Sequence, residues 1–149
     1  MSDTPTRMLL IDDDPEYTFL MREMLTAAWD APFHLQCADR LSNGLKQLTM
    51  GDADVILLDL LLPDSQGLDT FVQVHAQVPD TPIIVLSNLK DEELATKAIQ
   101  KGAQDYLLKG QTDVNDLRRA IRHAIGRKRA KATPPKAALR RNAAPTSAV

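Results

Sequence analysis

The chain has 149 residues, of which 44% are hydrophobic and 26% are charged, enough for one domain with a proper core and too few for two. Its apolar runs are shorter than the roughly 20 residues that cross a membrane, and the N-terminus lacks a signal peptide's apolar segment, so we expect a soluble, cytoplasmic protein without a membrane partner. The net charge of −2 conceals an asymmetry, because residues 1–114 carry −11 and residues 115–149 carry +9.

The single cysteine, Cys37, excludes an intrachain disulfide and is expected to pack in the core. The three histidines are scattered and lack the spacing of a zinc site.

Five short apolar segments predict strands. In chain order they are RMLLI (7–11), FHLQCA (33–38), DVILLD (54–59), PIIVLS (82–87) and DYLLK (105–109). The segments between and after them place apolar residues at helical spacing, which predicts five helices. The predicted buried faces are Tyr17, Leu20, Met21, Met24 and Leu25; Leu41, Leu45 and Leu48; Leu68, Phe71, Val72 and Val78; Leu94, Ala95, Ala98 and Ile99; and Val114, Leu117, Ile121, Ala124 and Ile125. Apolar strands that alternate with amphipathic helices predict an α/β fold, a (βα)5 doubly wound five-stranded parallel sheet with right-handed crossovers.

The first predicted strand runs directly into three aspartates, Asp12, Asp13 and Asp14, which Pro15 follows. Neighbouring like charges repel by roughly 1 kcal/mol per pair at about 4 Å in water, so we expect a cation nearby. The simpler interpretation is a helix cap, in which Asp13 or Asp14 accepts free N–H groups and Pro15 takes the first helical position. That interpretation accounts for one aspartate and leaves two.

Polar side chains follow the other predicted strands as well. Because the carboxyl ends of parallel strands meet at one edge of the sheet, the terminal residues of these strands should be neighbours. They are Asp12, Asp13, Asp59, Ser87 and Lys109. Carboxylate oxygens suit Mg²⁺, lysine supplies a compact positive charge for phosphoryl oxygens, and one carboxylate can attack phosphorus as a nucleophile. Singly, Asp59 could be a turn residue and Lys109 a solvated lysine, but their joint occurrence favours a phosphoryl-transfer site.

The motifs at these strand ends resemble those of the receiver domain of two-component response regulators. The motifs are LLIDDDP, VILLDLLLPDSQG, IIVLSN and GAQDYLLKG, and they occur in the order typical of that family between Arg7 and about Arg127. The family pattern D-x-x-x-P-x-x-x-G is met by Asp59, Pro63 and Gly67. The resemblance implies the flavodoxin-like strand order 2-1-3-4-5.

The resemblance also implies the chemistry of the site. Asp59 would accept a phosphoryl group from a phosphohistidine on a sensor histidine kinase or a histidine phosphotransfer protein. Asp13, Asp59 and the backbone carbonyl of Leu61 would bind Mg²⁺ directly, and Asp12 would act largely through water. Such a domain promotes its own phosphorylation and dephosphorylation but is a signalling phosphoacceptor rather than an enzyme with turnover.

The remaining family positions imply a conformational switch. Ser87 would donate a hydrogen bond to the phosphoryl oxygens, Lys109 would pair with them, and Tyr106 would turn inward when Ser87 moves. Taken alone, Tyr106 could equally be a core residue. The fourth helix, fifth strand and fifth helix would form the output face, where a homodimer is possible. Asp14 remains for the helix cap.

Two departures from the family pattern affect these expectations. The family usually has a proline, joined by a cis bond, after the lysine, whereas Gly110 follows Lys109 here. A cis bond without proline costs about 3–4 kcal/mol, so we expect either a trans bond with a more mobile loop or a strained cis bond. Two positions that tune hydrolysis of the acyl phosphate are the apolar Leu61 and Leu89, which predict a long-lived phosphoryl group.

The resemblance covers residues 7–127 and so implies an N-terminal extension (1–6) and a receiver domain (7–127). The composition of residues 128–149 is basic and rich in Ala and Pro, and we expect this tail to be disordered. The basic residues of the C-terminal end could bind nucleic acid or an acidic partner. They are Arg127, Lys128, Arg129, Lys131, Lys136, Arg140 and Arg141. Because the tail has no aromatic residue, a solvated linker is the favoured interpretation and nucleic-acid binding the alternative.

Two enzyme classes share parts of this pattern. A haloacid dehalogenase-type phosphatase also uses an aspartate nucleophile and Mg²⁺, but its D-x-D-x-T/V motif would place threonine or valine where Glu16 stands. A nucleoside triphosphatase would require a G-x-x-x-x-G-K-S/T loop, and the sequence contains none. Both fit the sequence less well than the receiver interpretation does.

Overall fold

Seven strands and five helices make up the part of the chain that the structure describes. The computed structural model describes the backbone of residues 4–132 and the side chains of residues 4–127. The strands are β1 (Thr6–Ile11), β2 (Phe33–Ala38), β3 (Val55–Asp59), β4 (Leu61–Leu62), β5 (Ser65–Gln66), β6 (Ile83–Ser87) and β7 (Asp105–Leu108). The helices are α1 (Pro15–Ala28), α2 (Leu41–Met50), α3 (Leu68–Gln77), α4 (Glu92–Gln100) and α5 (Val114–Ala132). The five predicted strands and five predicted helices are therefore confirmed.

The five long strands form one parallel sheet in the order β2-β1-β3-β6-β7. Strands β4 and β5 form a separate antiparallel hairpin just after β3, in which Leu61 pairs with Gln66. Without this hairpin, the order reads 2-1-3-4-5, so the predicted flavodoxin-like topology is confirmed. The switch in strand order lies between β1 and β3, whose carboxyl ends therefore face a common crevice.

Each face of the sheet is covered by its own group of helices. One core combines alternate sheet residues with α2, α3 and α4, and its largest fully buried side chain is Phe71. The other combines the remaining sheet residues with α1 and α5, including Met21 and Ile121. Both faces of β3 are buried, with Leu58 in the first core and Leu57 in the second. This burial explains why the central strands are apolar throughout rather than alternating.

Three side chains of the predicted buried faces are in fact exposed. Leu20, Val72 and Ile99 lie at the margins of their helices' apolar stripes, where the sheet does not reach them. Cys37 lies on the edge strand β2 and is only partly buried, so the prediction of a core cysteine is corrected to a residue at the core's margin. A helical period shows which residues share a face, but not how much of that face is covered.

The ends of the domain differ slightly from the predicted boundaries. Strand β1 already begins at Thr6, inside the predicted extension, and α5 remains helical to Ala132, beyond the predicted end at 127. Residues 1–3 and 133–149, which hold most of the predicted tail, lie outside the described residues. Within residues 4–132, no helix combines the length and apolar character that crossing a bilayer requires.

Candidate functional site

One of the three consecutive aspartates caps a helix, and another is buried at the end of β1. Asp12 follows β1 and is buried, and its backbone N–H donates to the carbonyl of Ala38 at 2.9 Å. Asp14 is the N-cap of α1, because its carboxylate accepts a hydrogen bond from the N–H of Glu16 at 2.9 Å, and Pro15 follows at the first helical position. The predicted cap is thereby confirmed, and Asp12 and Asp13 remain available for the site.

Lys109 joins the ends of three strands in one desolvated pocket. Its ammonium nitrogen lies 2.6 Å from Oδ2 of Asp12 and 2.8 Å from Oδ2 of Asp59. The side chains are 6%, 0% and 10% exposed for Lys109, Asp12 and Asp59, respectively. Lys109 thus supplies a cation next to Asp12, one of the three consecutive aspartates. Asp59 also accepts a hydrogen bond from the N–H of Leu61 at 2.9 Å through Oδ1, which fixes the plane of its carboxylate.

Burial and charge pairing shift the pKa of two side chains in this pocket, Asp12 and Lys109. Desolvation raises the pKa of the Asp12 carboxyl, even though the Lys109 ammonium beside it favours the charged form. For Lys109, burial alone would lower the pKa, but the hydrogen bonds and charges of Asp12 and Asp59 outweigh it and raise the pKa. The ammonium is therefore charged at neutral pH and neutralises part of the negative charge that surrounds it.

The acidic residues are suited to a divalent cation. Asp12, Asp13 and Asp59 each offer a carboxylate oxygen, and these oxygens all lie within 4.8 Å of one another. Two of the carboxylates are buried and Asp13 is exposed, so an ion there would touch both protein and solvent. Mg²⁺ prefers oxygen ligands and keeps several waters, which fits this donor set.

Ser87, at the end of β6, and Tyr106, in β7, are connected through one backbone segment. Ser87 is buried at the end of β6, and its hydroxyl accepts a hydrogen bond from the N–H of Leu89 at 2.9 Å. The Tyr106 hydroxyl donates to the carbonyl of Leu89 at 3.0 Å. The carbonyl of Ser87 accepts the N–H of Lys109 at 2.9 Å. Leu89 thus links the serine hydroxyl to the tyrosine ring.

A sequence model of the response regulator receiver domain matches residues 8–122. The chain belongs to the response regulator receiver family. Among its relatives is the transcriptional regulatory protein KdpE of Staphylococcus aureus, which is 35% identical over 117 residues, or 78% of this chain and 48% of the relative. The chain thus spans about half the length of this curated relative.

Solved structures give the same assignment. A receiver domain protein from Clostridium thermocellum superposes with a TM-score of 0.74 at 27% identity, covering 84% of this chain and 98% of that one. The beryllofluoride-activated receiver domain dimer of NtrC4 superposes with a TM-score of 0.73 at 28% identity, covering 82% and 98%. Family membership argues against the phosphatase and nucleoside triphosphatase alternatives, since a receiver domain is a signalling domain that works with a histidine kinase in two-component systems.

The loop after the site lysine of this receiver domain departs from the usual family pattern. The Lys109–Gly110 peptide bond is trans, so the trans alternative of the sequence prediction is the one observed. The turn that follows β7 is closed by two hydrogen bonds to the carbonyl of Leu108, from the N–H of Gln111 at 3.1 Å and from the hydroxyl of Thr112 at 2.7 Å. These bonds hold the backbone of the loop without a proline.

Two residues that contribute to the site region were not singled out by sequence reasoning. Tyr17, which the helical spacing assigned to the apolar face of α1, places its ring centroid 4.4 Å from the Lys109 ammonium nitrogen. The only sequence signal for this contact is that Tyr17 stands four residues after Asp13. Asp64, in the β4–β5 turn, accepts the N–H groups of Leu41 and Ser42 at 2.8 and 2.9 Å and so caps α2.

Proposed function

We propose that this receiver domain accepts a phosphoryl group on Asp59 from a phosphohistidine of a sensor histidine kinase or histidine phosphotransfer protein. The observation that carries the proposal is the desolvated contact of Lys109 with both Asp59 and Asp12, 2.8 and 2.6 Å from their carboxylate oxygens. This arrangement places a nucleophilic carboxylate beside a fixed positive charge. Transfer through a highly charged, loose transition state needs mainly such positioning and charge stabilisation.

The transfer step is a displacement at phosphorus. A carboxylate oxygen of Asp59 forms a bond to phosphorus while the phosphorus–nitrogen bond to the donor imidazole breaks, and the released imidazole takes up a proton. Lys109 pairs with the phosphoryl oxygens, and the Ser87 hydroxyl donates a hydrogen bond to them. Asp13, Asp59 and the Leu61 carbonyl would hold Mg²⁺, with Asp12 acting through water. The ion would supply further neutralisation of the phosphoryl charge.

The same contacts suggest how the modification changes the surface. Phosphorylation makes Asp59 a dianionic acceptor, which attracts the Ser87 hydroxyl. When Ser87 turns toward the phosphoryl group, its hydrogen bond from the Leu89 N–H is broken. The backbone at Leu89 also holds the Tyr106 hydroxyl, so Tyr106 is released to turn inward. A change of a few kcal/mol in such a two-state element is enough to alter its dominant conformation.

The surface that would respond consists of α4, β7 and α5. Its α4 region carries three lysines next to three acidic residues, and Lys97 already pairs with Glu93 at 3.2 Å. These residues are Lys90, Asp91, Glu92, Glu93, Lys97 and Lys101. Such a mixed-charge surface suits a symmetric homodimer, and the activated NtrC4 receiver domain is described as a dimer. We therefore propose that the protein forms a homodimer through this face and does so in the cytoplasm.

The lifetime of the phosphoryl group follows from two apolar side chains near the site. Leu61 and Leu89 are each 43% exposed. Neither can orient a water molecule by hydrogen bonding, so hydrolysis of the acyl phosphate should be slow. Rapid loss of the modification from purified protein at neutral pH would contradict this part of the proposal.

The first prediction tests the acceptor directly. The wild type is incubated with Mg²⁺ and acetyl phosphate, and Asp59→Asn is compared with Asp80→Asn, a change of an exposed loop aspartate. The wild type and Asp80→Asn should each gain one phosphoryl group by intact mass, whereas Asp59→Asn should gain none. Beryllofluoride should likewise change the amide spectrum of the first two proteins only. An equal response of Asp59→Asn would place the acceptor elsewhere, and sustained turnover of a phosphate ester would favour a phosphatase.

A further inference from the structure

The Lys109 ammonium has three N–H donors, and two of them are accounted for by carboxylates. One is directed to Asp12 and another to Asp59, at 2.6 and 2.8 Å. The face of the Tyr17 ring lies against the same nitrogen, with its centroid 4.4 Å away. A cation this close to an aromatic face is attracted by the ring's negative π surface, and the attraction is stronger in desolvated surroundings. The ring therefore completes the coordination of the ammonium.

Tyr17 is held in a neutral form that suits this contact. Burial, followed by the nearby charges of Asp12 and Asp59, raises the pKa of its phenol group. The ring thus remains uncharged near the two carboxylates. Because Tyr17 lies in the first turn of α1, next to the Asp14 cap, its backbone is fixed by the helix start.

The two carboxylates hold the tip of the Lys109 side chain, whereas its backbone comes from a less enclosed part of the sheet. Lys109 follows β7, a strand at the sheet edge whose four residues are all only partly buried. Its backbone N–H is bonded to Ser87, but four flexible methylene groups separate the backbone from the ammonium. Gly110, joined by a trans bond, adds no rigid ring to the loop. The Tyr17 ring face is a third contact to the ammonium, beside the two carboxylates.

We propose that Tyr17 is a positioning residue for phosphoryl transfer, whose ring face holds the Lys109 ammonium against the Asp12–Asp59 pair. This inference rests on the proposed function of Asp59. The ring does not touch the reacting atoms and acts through the lysine. Replacing it with an aliphatic side chain should leave the ammonium more mobile and should lower the rate of phosphoryl transfer at saturating donor.

The test compares three substitutions. Tyr17→Phe keeps the ring face and removes the hydroxyl, and Tyr17→Leu removes the ring. Phe19→Leu is the matched control, since it makes an aromatic-to-leucine change on the same helix at a side chain that is 65% exposed. For each protein, the ring-current shift of the Lys109 ε-methylene protons is measured by NMR without Mg²⁺, and the phosphorylation rate is measured over a range of acetyl phosphate concentrations with Mg²⁺.

We expect the upfield ε-methylene shift in the wild type, Tyr17→Phe and Phe19→Leu, and its loss in Tyr17→Leu. The maximal rate of Tyr17→Leu should fall roughly 5- to 30-fold, with little change in half-saturating donor concentration, while Tyr17→Phe should stay within about twofold of wild type. A normal rate in Tyr17→Leu, an equal loss in Tyr17→Phe, or no shift in the wild type would each overturn the inference. If Tyr17→Leu does not fold, Tyr17→Met, which also removes the ring, takes its place and the same outcomes decide. A wild type that is not phosphorylated at all would instead refute the proposed function.

Discussion

Strands β3 and β7 deliver the two oppositely charged partners of the site from very different surroundings. Strand β3 pairs with a neighbour on each side, all five of its residues are buried, and it ends in Asp59. Strand β7 pairs only with β6 at the edge of the sheet, its four residues are partly buried, and Lys109 follows it. The acceptor is thus built on one of the two fully buried central strands, β3 and β6, and its cationic partner follows an edge strand that is only partly buried.

This difference indicates which side of the site can move. A residue on a strand that is packed on both faces and bonded on both edges can shift only if much of the core shifts with it. Local rearrangement is less costly where few apolar contacts must be broken, as at an edge strand. We therefore expect the backbone of Asp59 to stay in place during signalling, while the side chain of Ser87, the loop after it and the edge strand β7 adjust around it.

The largest expected effect compares equivalent leucines on the two strands. Leu57 of β3 is fully buried, whereas Leu107 of β7 is partly buried against the same core. Leu57→Ala should lower the free energy of unfolding by about 2–5 kcal/mol, since it removes fully packed methyl groups and leaves a cavity. Leu107→Ala should lower the free energy of unfolding by less than half as much. Urea unfolding measures both, and equal losses would show that the edge strand is packed as firmly as the central one.

A second pair of substitutions compares the loops that follow the two strands. Gly67, after the β4–β5 hairpin, has φ 81° and ψ −161°, a conformation nearly restricted to glycine, and its N–H donates to the Leu60 carbonyl at 2.7 Å. Gly67→Ala should therefore destabilise by about 1–3 kcal/mol through backbone strain, although a Cβ there would meet no atom within 4 Å.

Gly110, after β7, is the matched control. A Cβ at this position would also meet nothing within 4 Å, and its φ lies outside the left-handed range. Gly110→Ala should change the free energy of unfolding by less than about 0.5 kcal/mol. Chemical denaturation of both variants gives the comparison. A cost at Gly110 as large as that at Gly67 would mean that the loop after Lys109 is under strain that its backbone angles do not reveal.

Much of this architecture was predictable because it follows from periodicity and from the geometry of parallel sheets. The strands could be recognised as short apolar runs, and the rule that strand ends share one edge predicts that Asp12, Asp59 and Lys109 are neighbours. The residues alone left both Asp13 and Asp14 as candidates for the helix cap, and the family resemblance then left Asp14 for it. The strand order was implied by family resemblance rather than by the residues alone.

The remaining features depend on contacts between distant segments that no local pattern encodes. Helical spacing assigned Tyr17 to an apolar face correctly, but it could not show that this face also meets Lys109. The same spacing assigned Leu20 to the core, although its side chain is exposed. The β4–β5 hairpin was not predicted. The role of Asp64 was not predicted either, because the N–H groups that bond to its carboxylate lie in α2, more than 20 residues away in the chain.

The smallest expected effect concerns Asp64, whose carboxylate joins the hairpin after β3 to the start of α2. Hydrogen bonds from the N–H groups of Ser42 and Leu41 lower its pKa below the usual 3.8. A carboxyl with a lowered folded-state pKa stabilises the fold fully above the unfolded value and loses that contribution as pH falls through the folded value. Asp64→Ala should thus reduce the melting temperature at neutral pH, and the difference from wild type should shrink below about pH 4. Arg40, the residue at the N-cap of α2, provides no side-chain cap that could compensate. Thermal unfolding from pH 7 to pH 2.5, with Asp80→Asn as control, measures this difference in melting temperature. A difference that stays constant with pH would mean that Asp64 stabilises α2 by packing rather than by charge.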